Sequence, residues 1–392
     1  MRFPGIRYIS WAKAMPPARI NLARSGIEPC PASLLGLRPR DLATHLPARY
    51  GWPPLLAALG RRYEVPPDRV FTVPGGTSLA NFVACAAVLD GAGRGEEVIV
   101  ERPAYEPLLR IVQALGCRIR RFDRRFEEAW AIDLDRFASL VNRLTRLAIV
   151  TNLHNPSGMQ IDLATLGEMA RILGRVGAFL LVDEVYLECL FGRRADSSAH
   201  AGPNVLATNS LTKAYGLDGL RAGWILGPRR LISRAGKIYD LMGVNGVAPG
   251  ERMTLAALRL LPAIRRRARA LLDPNLDRVR RFLAAERRLG SHVPPGGNIF
   301  FARLPAGIDG ERFARHLLDR YSTLVVPGRF FDSPRCIRVS FGCAPAKLAR
   351  GLRNLTRALD DLVPRVVTSR RNLRASSSTP CRRKSPIRPR RR

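Results

Sequence analysis

The sequence predicts an α/β protein, with a mostly parallel sheet sandwiched by helices and a smaller α+β region after it. Three features support this. Short apolar runs of strand length alternate with helical stretches of roughly 10–15 residues, the pattern of βαβ units. Several polar, turn-prone motifs fall just past those runs, where ligands bind in open α/β sheets. The chain has 392 residues and is 46% hydrophobic, long enough to bury one large core and a second, smaller one.

The elements follow in order. Residues 51–63 read as an amphipathic helix entered through Pro53 and Pro54, since proline is tolerated in a first turn. Residues 71–73 form a strand running into Pro74-Gly75-Gly76-Thr77-Ser78, and an apolar helix follows to about Leu89. A strand at 97–100, a helix at 105–115 and a strand at 118–122 come next. A helix at 134–144 leads to a strand at 147–151, and a helix at 163–175 to a buried strand at 178–182. Residues 205–208 and 222–226 are further apolar runs bounded by turn residues. From 249 to 287 the pattern is helical and arginine-rich, until Pro294-Pro295-Gly296-Gly297 breaks the chain. The second region contains a strand at 298–303, a helix at 310–321, a strand at 336–341 and a helix at 346–362. The tail after Pro364 has no sustained apolar period and is expected to be disordered.

Composition excludes several classes. No stretch approaches the roughly 18 uncharged apolar residues of a membrane span. The N-terminal residues Met1 to Arg7 lack an apolar core, so no secretory signal is expected. The seven cysteines are odd in number and scattered, without a CxxC. They read as reduced thiols in a cytoplasmic protein, with no metal site. A net charge of +33 invites a nucleic-acid role, but its distribution argues against one. Residues 369–392 hold ten Arg or Lys and no acid, and the remaining excess is spread along the chain as arginine. A nucleic-acid footprint clusters on one face instead.

Lysine is nearly absent: five of the 65 basic residues. One of them, Lys213, sits in Ser210-Leu211-Thr212-Lys213, with Arg221 eight residues on. Upstream lie Asn155-Pro156-Ser157-Gly158 and Asp183-Glu184-Val185-Tyr186. Together these supply what pyridoxal 5'-phosphate requires: an amine for a Schiff base and a carboxylate for the pyridine nitrogen. They also supply two donors for the phenolic oxygen and a cation for the phosphate.

In order and spacing these motifs resemble the class I/II aminotransferases, fold-type-I pyridoxal-phosphate enzymes, over roughly residues 20–362. The resemblance implies a seven-stranded, mostly parallel sheet in a large cofactor-binding domain. It divides the chain into an arm with part of the small domain (1–45), the large domain (46–255), the small domain (256–365) and a basic tail (366–392). It makes Lys213 the Schiff-base lysine and proton shuttle. Asp183 becomes the partner of the pyridinium, and Tyr186 and Asn155 the donors to the phenolic oxygen. Gly76, Thr77 and Ser78 would meet the phosphate at a helix N-terminus, where free N–H groups and the dipole favour an anion. Ser210 and Arg221 would add a hydroxyl and a guanidinium fork. Tyr105 would stack on the cofactor ring. Tyr50 would reach the phosphate of a neighbouring subunit, which implies a homodimer with shared sites. On the substrate side, Arg338, in Cys336-Ile337-Arg338-Val339-Ser340, would grip the α-carboxylate, with Gly26 and Asn155 beside it. Two departures stand out: Thr212 precedes the lysine where many relatives carry serine or alanine, and the arginine-rich tail has no counterpart.

The implied reaction is reversible amino transfer between an L-amino acid and a 2-oxo acid. An alternative on the same scaffold is a β-eliminating lyase or a cyclising enzyme, whose cofactor residues would be the same. A minor alternative is a ligand-sensing DNA-binding regulator. Such regulators carry a winged helix ahead of the position of Tyr50, where this sequence has no helix-turn-helix pattern.

Overall fold

The computed structural model describes residues 4–47, 50–92, 95–191 and 197–362, so the tail expected to be disordered lies outside the described residues. The chain opens with α1 (Arg7–Ala14), β1 (Ile20–Asn21), α2 (Pro53–Tyr63), β2 (Val70–Pro74), α3 (Thr77–Leu89) and β3 (Glu97–Arg102). It continues through α4 (Glu106–Ala114), β4 (Arg118–Asp123), α5 (Leu134–Leu140), β5 (Thr145–Thr151), α6 (Leu163–Gly174) and β6 (Phe179–Asp183). Next come β7 (Val205–Ser210), α7 (Thr212–Tyr215), β8 (Ala222–Leu226), α8 (Arg229–Asp240), α9 (Ala248–Arg259) and α10 (Leu261–Ala285). The remainder is β9 (Ile299–Arg303), α11 (Gly310–Tyr321), β10 (Thr323–Leu324), β11 (Val326–Pro327), β12 (Cys336–Ser340) and α12 (Pro345–Leu362).

Seven strands form one sheet in the order β2-β8-β7-β6-β5-β3-β4. Strand β8 alone runs against its neighbours, pairing antiparallel with both β7 and β2. The central strands read as unbroken apolar runs because both faces are covered. One face packs beneath α3, α4 and α8 through Val83, Leu108, Ile149, Leu181 and Ile232. The other packs beneath α5 and α6 through Phe137, Ala148, Val150, Met169 and Leu180. The C-terminal region holds the antiparallel sheet β11-β12-β9, and β1 pairs in parallel with β10. The arm is thereby tied to the C-terminal region.

Helix starts are written locally. Asp133, Asp162 and Asp309 each accept a backbone N–H of the following turn, from Arg136 (2.9 Å), Thr165 (2.6 Å) and Glu311 (2.8 Å). Such caps contribute about 1 kcal/mol each.

Four differences from the sequence reading have physical causes. The helix expected to reach residue 144 ends at Leu140. There the Asn142 side chain accepts from Leu144 N at 2.7 Å, a local bond that competes with helix. The helical stretch 249–287 divides at Leu260 into α9 and α10. The sequence does not announce helix α8, because four basic residues dilute its apolar stripe of Leu231, Ile232, Ala235 and Tyr239. Helix α1 spans only eight residues, too few for periodicity to declare it.

Candidate active site

The parallel strands deliver their carboxyl ends to one edge of the sheet. Asp183 is the last residue of β6, Ser210 the last of β7, and the 152–158 loop follows β5. Gly75 and Gly76 follow β2. Because β8 runs the other way, its first residues lie on that same edge, which brings in Arg221 just ahead of Ala222.

Asp183 is 4% exposed. Its Oδ2 accepts from Asn81 Nδ2 at 2.7 Å and its Oδ1 from Val185 N at 3.1 Å. Asn81 in turn accepts from Thr208 Oγ1 at 2.5 Å. The carboxylate is thus fixed in orientation from the sheet and from α3. Burial raises its pKa, and Asn81, the Val185 N–H and the charge of Lys213 oppose the rise.

Lys213 lies in α7, one turn past β7, and its Nζ donates to Ser25 Oγ at 2.7 Å. Its pKa falls to about 8, first because burial penalises the ammonium and then because Arg338 repels it. Asp183 and Asp218 pull the other way. An amine with that pKa has roughly a tenth to a fifth of its population neutral near physiological pH, far more than an ordinary lysine, which favours an imine-forming nucleophile and proton carrier. The Tyr186 phenol is buried, which raises its pKa, with Arg338 and Ser25 opposing.

The corner expected to meet the phosphate is built on backbone. Helix α3 starts at Thr77 with no side-chain cap, so the N–H groups of Thr77 and Ser78 point outward. The Gly76 N–H is engaged by Arg221 O at 3.2 Å; this glycine therefore forms a wall, not a donor. A Cβ on Gly76, whose φ is +70°, would meet Thr212 Oγ1 at 3.5 Å and Arg221 Nη1 at 4.0 Å. Arg221 is held by its Nη2 on Gly75 O at 2.6 Å, and Ser210 Oγ donates to Thr212 Oγ1 at 2.9 Å. Gly223 makes the corner possible, because a Cβ there would lie 2.4 Å from Gly76 O.

On the substrate side, Arg338 rises from β12 and is 1% exposed. Its Nη1 donates to Asn155 Oδ1 at 2.9 Å, and its Nη2 to Tyr8 Oη at 2.8 Å and Ala23 O at 3.3 Å. Asn155 is steadied by Thr151 Oγ1, which accepts from Asn155 N at 2.9 Å and donates to Glu101 Oε1 at 2.6 Å. Glu101 is itself paired with the fully buried Arg124 at 2.9 Å. Gly26 packs against the lysine turn, where a Cβ would sit 3.7 Å from Lys213 Cα. Ile27 N donates to Lys213 O at 3.2 Å. Tyr105, half-buried at the start of α4, meets Tyr8 edge-on at 5.8 Å. Tyr50 does not join this cluster within one chain. It is 55% exposed and donates to Asp240 Oδ2 at 2.6 Å.

The structure therefore gathers Asp183, Tyr186, Asn155, Lys213, Arg338, Gly26, Tyr105 and the phosphate corner around one sheet edge. It also adds groups the sequence reading missed: Ser25, Tyr8, Asn81 and Gly223. Ser25 directly precedes Gly26, which was named, so adjacency was the available signal. Nothing in the sequence marks Tyr8.

An anion corner, an amine and an oriented carboxylate along the edge of a doubly covered parallel sheet define a pyridoxal-phosphate-binding fold. The donor set fits the group: open N–H groups, a hydroxyl and a guanidinium border a corner kept clear by glycine. The family model "Aminotransferase class I and II" matches residues 50–355, and the chain belongs to that pyridoxal-phosphate-dependent family. It is 33% identical over 318 residues, 78% of each chain, to capreomycidine synthase from Streptomyces vinaceus. It is 28% identical over 253 residues, 63% of this chain and 64% of the relative, to arginine–pyruvate transaminase AruH from Pseudomonas aeruginosa. Among solved structures, a pyridoxal-phosphate-dependent aminotransferase from Streptococcus suis superposes with TM-score 0.85 at 24% identity, covering 92% and 99% of the two chains. The pyridoxal-phosphate-dependent cyclase OrfR superposes with TM-score 0.82 at 25% identity, covering 92% and 98%. Among the described residues, no helix is long and apolar enough to cross a membrane.

Proposed function

We propose that the protein is an aminotransferase that moves an amino group between an L-amino acid and a 2-oxo acid. The observation that carries its pyridoxal-phosphate chemistry is the setting of Lys213, a half-buried lysine whose amine pKa, lowered to about 8, lies under the influence of both Asp183 and Arg338. The 28% identity to the transaminase AruH favours amino transfer as the outcome. Bound at the anion corner, pyridoxal phosphate supplies the electron sink that makes a substrate Cα–H acidic. Arg338 holds the substrate carboxylate in a fork, and Asn155 fixes the plane of that fork. The Lys213 Nζ would take the proton from the substrate Cα and deliver it to the cofactor carbon that is joined to the substrate nitrogen, as amino transfer requires. Asp183, locked by Asn81 and Val185, keeps the ring nitrogen charged.

We further read the active unit as a cytoplasmic homodimer. Tyr50 stands on the surface beside the exposed apolar residues Leu241, Met242, Val244 and Val247, joined to them through its bond to Asp240. Arg221 and Ser78 of the phosphate corner are also exposed in the single chain. Those features suit a shared site.

A second reading, a cyclising reaction on the same scaffold, is favoured by the likeness to the pyridoxal-phosphate-dependent cyclase OrfR, and the 33% identity to a synthase, not a transaminase, agrees with it. Product analysis separates the two. With an L-amino acid panel and pyruvate, amino transfer yields alanine and a new 2-oxo acid in equal amounts. A cyclic amino acid formed without any acceptor would overturn the transaminase reading and support the cyclase.

A further inference from the structure

Arg338 presents an unusual charge balance. Its guanidinium is 1% exposed, yet its hydrogen-bond partners among the described residues are neutral: Asn155 Oδ1, Tyr8 Oη and Ala23 O. Aromatic faces supply the rest of its surroundings, with the Tyr8 ring at 5.4 Å and the Phe331 ring at 5.1 Å. Cation–π contacts offset only part of the cost of burying such a charge, so the site is arranged for an incoming anion.

Tyr8 is held in place from several elements. Helix α1 lacks a side-chain cap of its own at Ile6. Glu106, from α4, serves instead, accepting Tyr8 N at 2.7 Å and Arg7 N at 3.2 Å. Arg110 braces that carboxylate at 2.8 Å. The Tyr8 ring is 6% exposed and packs at 5.7 Å from Phe330, 6.0 Å from Phe331 and 5.8 Å from Tyr105. A phenol so fixed has little freedom left to lose when a ligand binds. Its hydroxyl accepts from Arg338, which leaves its own O–H to donate.

We propose that Tyr8 is a carboxylate-binding residue: its hydroxyl donates to the same α-carboxylate that Arg338 holds, completing a cradle of Arg338 and Tyr8. On entry the carboxylate takes the Nη2 hydrogen now given to the phenol. The phenol then turns its O–H onto the carboxylate oxygen, with no movement of helix α1. Selectivity for a carboxylate beside the reacting amine thereby depends on an aromatic residue of the arm as well as on the arginine. This inference rests on the reading of Arg338 as the group that takes the substrate carboxylate.

The test uses the holoenzyme and pairs of ligands that differ only by the carboxylate: L-alanine with ethylamine, and L-arginine with agmatine. Dissociation constants are read from the cofactor's absorbance change in wild type, Tyr8→Phe and Arg338→Gln. Tyr8→Phe keeps the ring and removes the hydroxyl. It is expected to weaken the tighter-binding amino acid about 10-fold, the worth of one hydrogen bond to a charged group, and to leave its amine partner unchanged. An unchanged amino-acid constant in Tyr8→Phe, with Arg338→Gln weakening it, overturns the Tyr8 inference alone. Equal weakening of amino acid and amine also overturns it, because a loosened α1 would act on both. Failure of Arg338→Gln to weaken the amino acid, or failure of both amino acids to bind wild type, overturns the reading of Arg338 and the inference with it.

Discussion

The two halves of the site are built in different ways. The cofactor half hangs on strand ends and the turns beside them: Asp183, Ser210, Lys213, Arg221 and the start of α3 all border one sheet edge. The substrate half is assembled across the whole chain. Arg338 meets Tyr8 330 residues away and Asn155 183 residues away. One half is set by the sheet, whose central strands fix the position of whatever follows them. The other depends on an arm that is anchored by the β1–β10 pairing and by Glu106. Chemistry common to many substrates can be encoded locally, whereas recognition of a particular one is left to contacts that only the finished fold creates.

The largest expected effect breaks the cofactor half alone. Asp183→Asn removes the charge proposed to keep the ring nitrogen protonated, while preserving the bond from Asn81. It should lower kcat/KM by at least about 100-fold, roughly 2.7 kcal/mol of transition-state stabilisation. Amino-acid binding should stay within about 2-fold, because the bonds of Asp183 run to Asn81 and Val185 and none to Arg338. A comparable loss of binding would mean that the halves are not separate.

A smaller effect measures how the halves communicate through Lys213. The neutral amine is the nucleophile, so capture of pyridoxal phosphate by the apoenzyme should quicken with rising pH and level off above about 8. After burial, Arg338 is the chief influence holding that pKa down. Arg338→Gln should therefore move the midpoint to higher pH. A midpoint that stays in place, or moves down, would deny electrostatic coupling between the two sides.

The same contrast explains what could be read before the fold was known. The alternation of strands and helices, the sheet's mostly parallel character and the Lys213, Asp183 and Asn155 motifs follow from local patterns. Helix caps such as Asp162 and turns such as Gly75-Gly76 carry their signal within a few residues. The direction of β8, which brings Arg221 to the site, depends on pairing with β7 and β2, and no single segment announces it. Gly223 is illegible in the sequence because its purpose, clearance for the Gly76 carbonyl, exists only after those strands meet. Asn81 reads as an ordinary polar residue of an apolar helix until its amide is found between Asp183 and Thr208. Tyr8 is one aromatic in a short arm helix whose cap comes from another element.

The central claim is that the amine at position 213 carries the cofactor, and with five lysines in the chain it can be tested directly. Borohydride reduction of the holoenzyme followed by peptide mapping should find one pyridoxyl group, on the peptide containing Lys213, and none in Lys213→Ala. An adduct on Lys237 or any other lysine, or no adduct at all, would contradict the account.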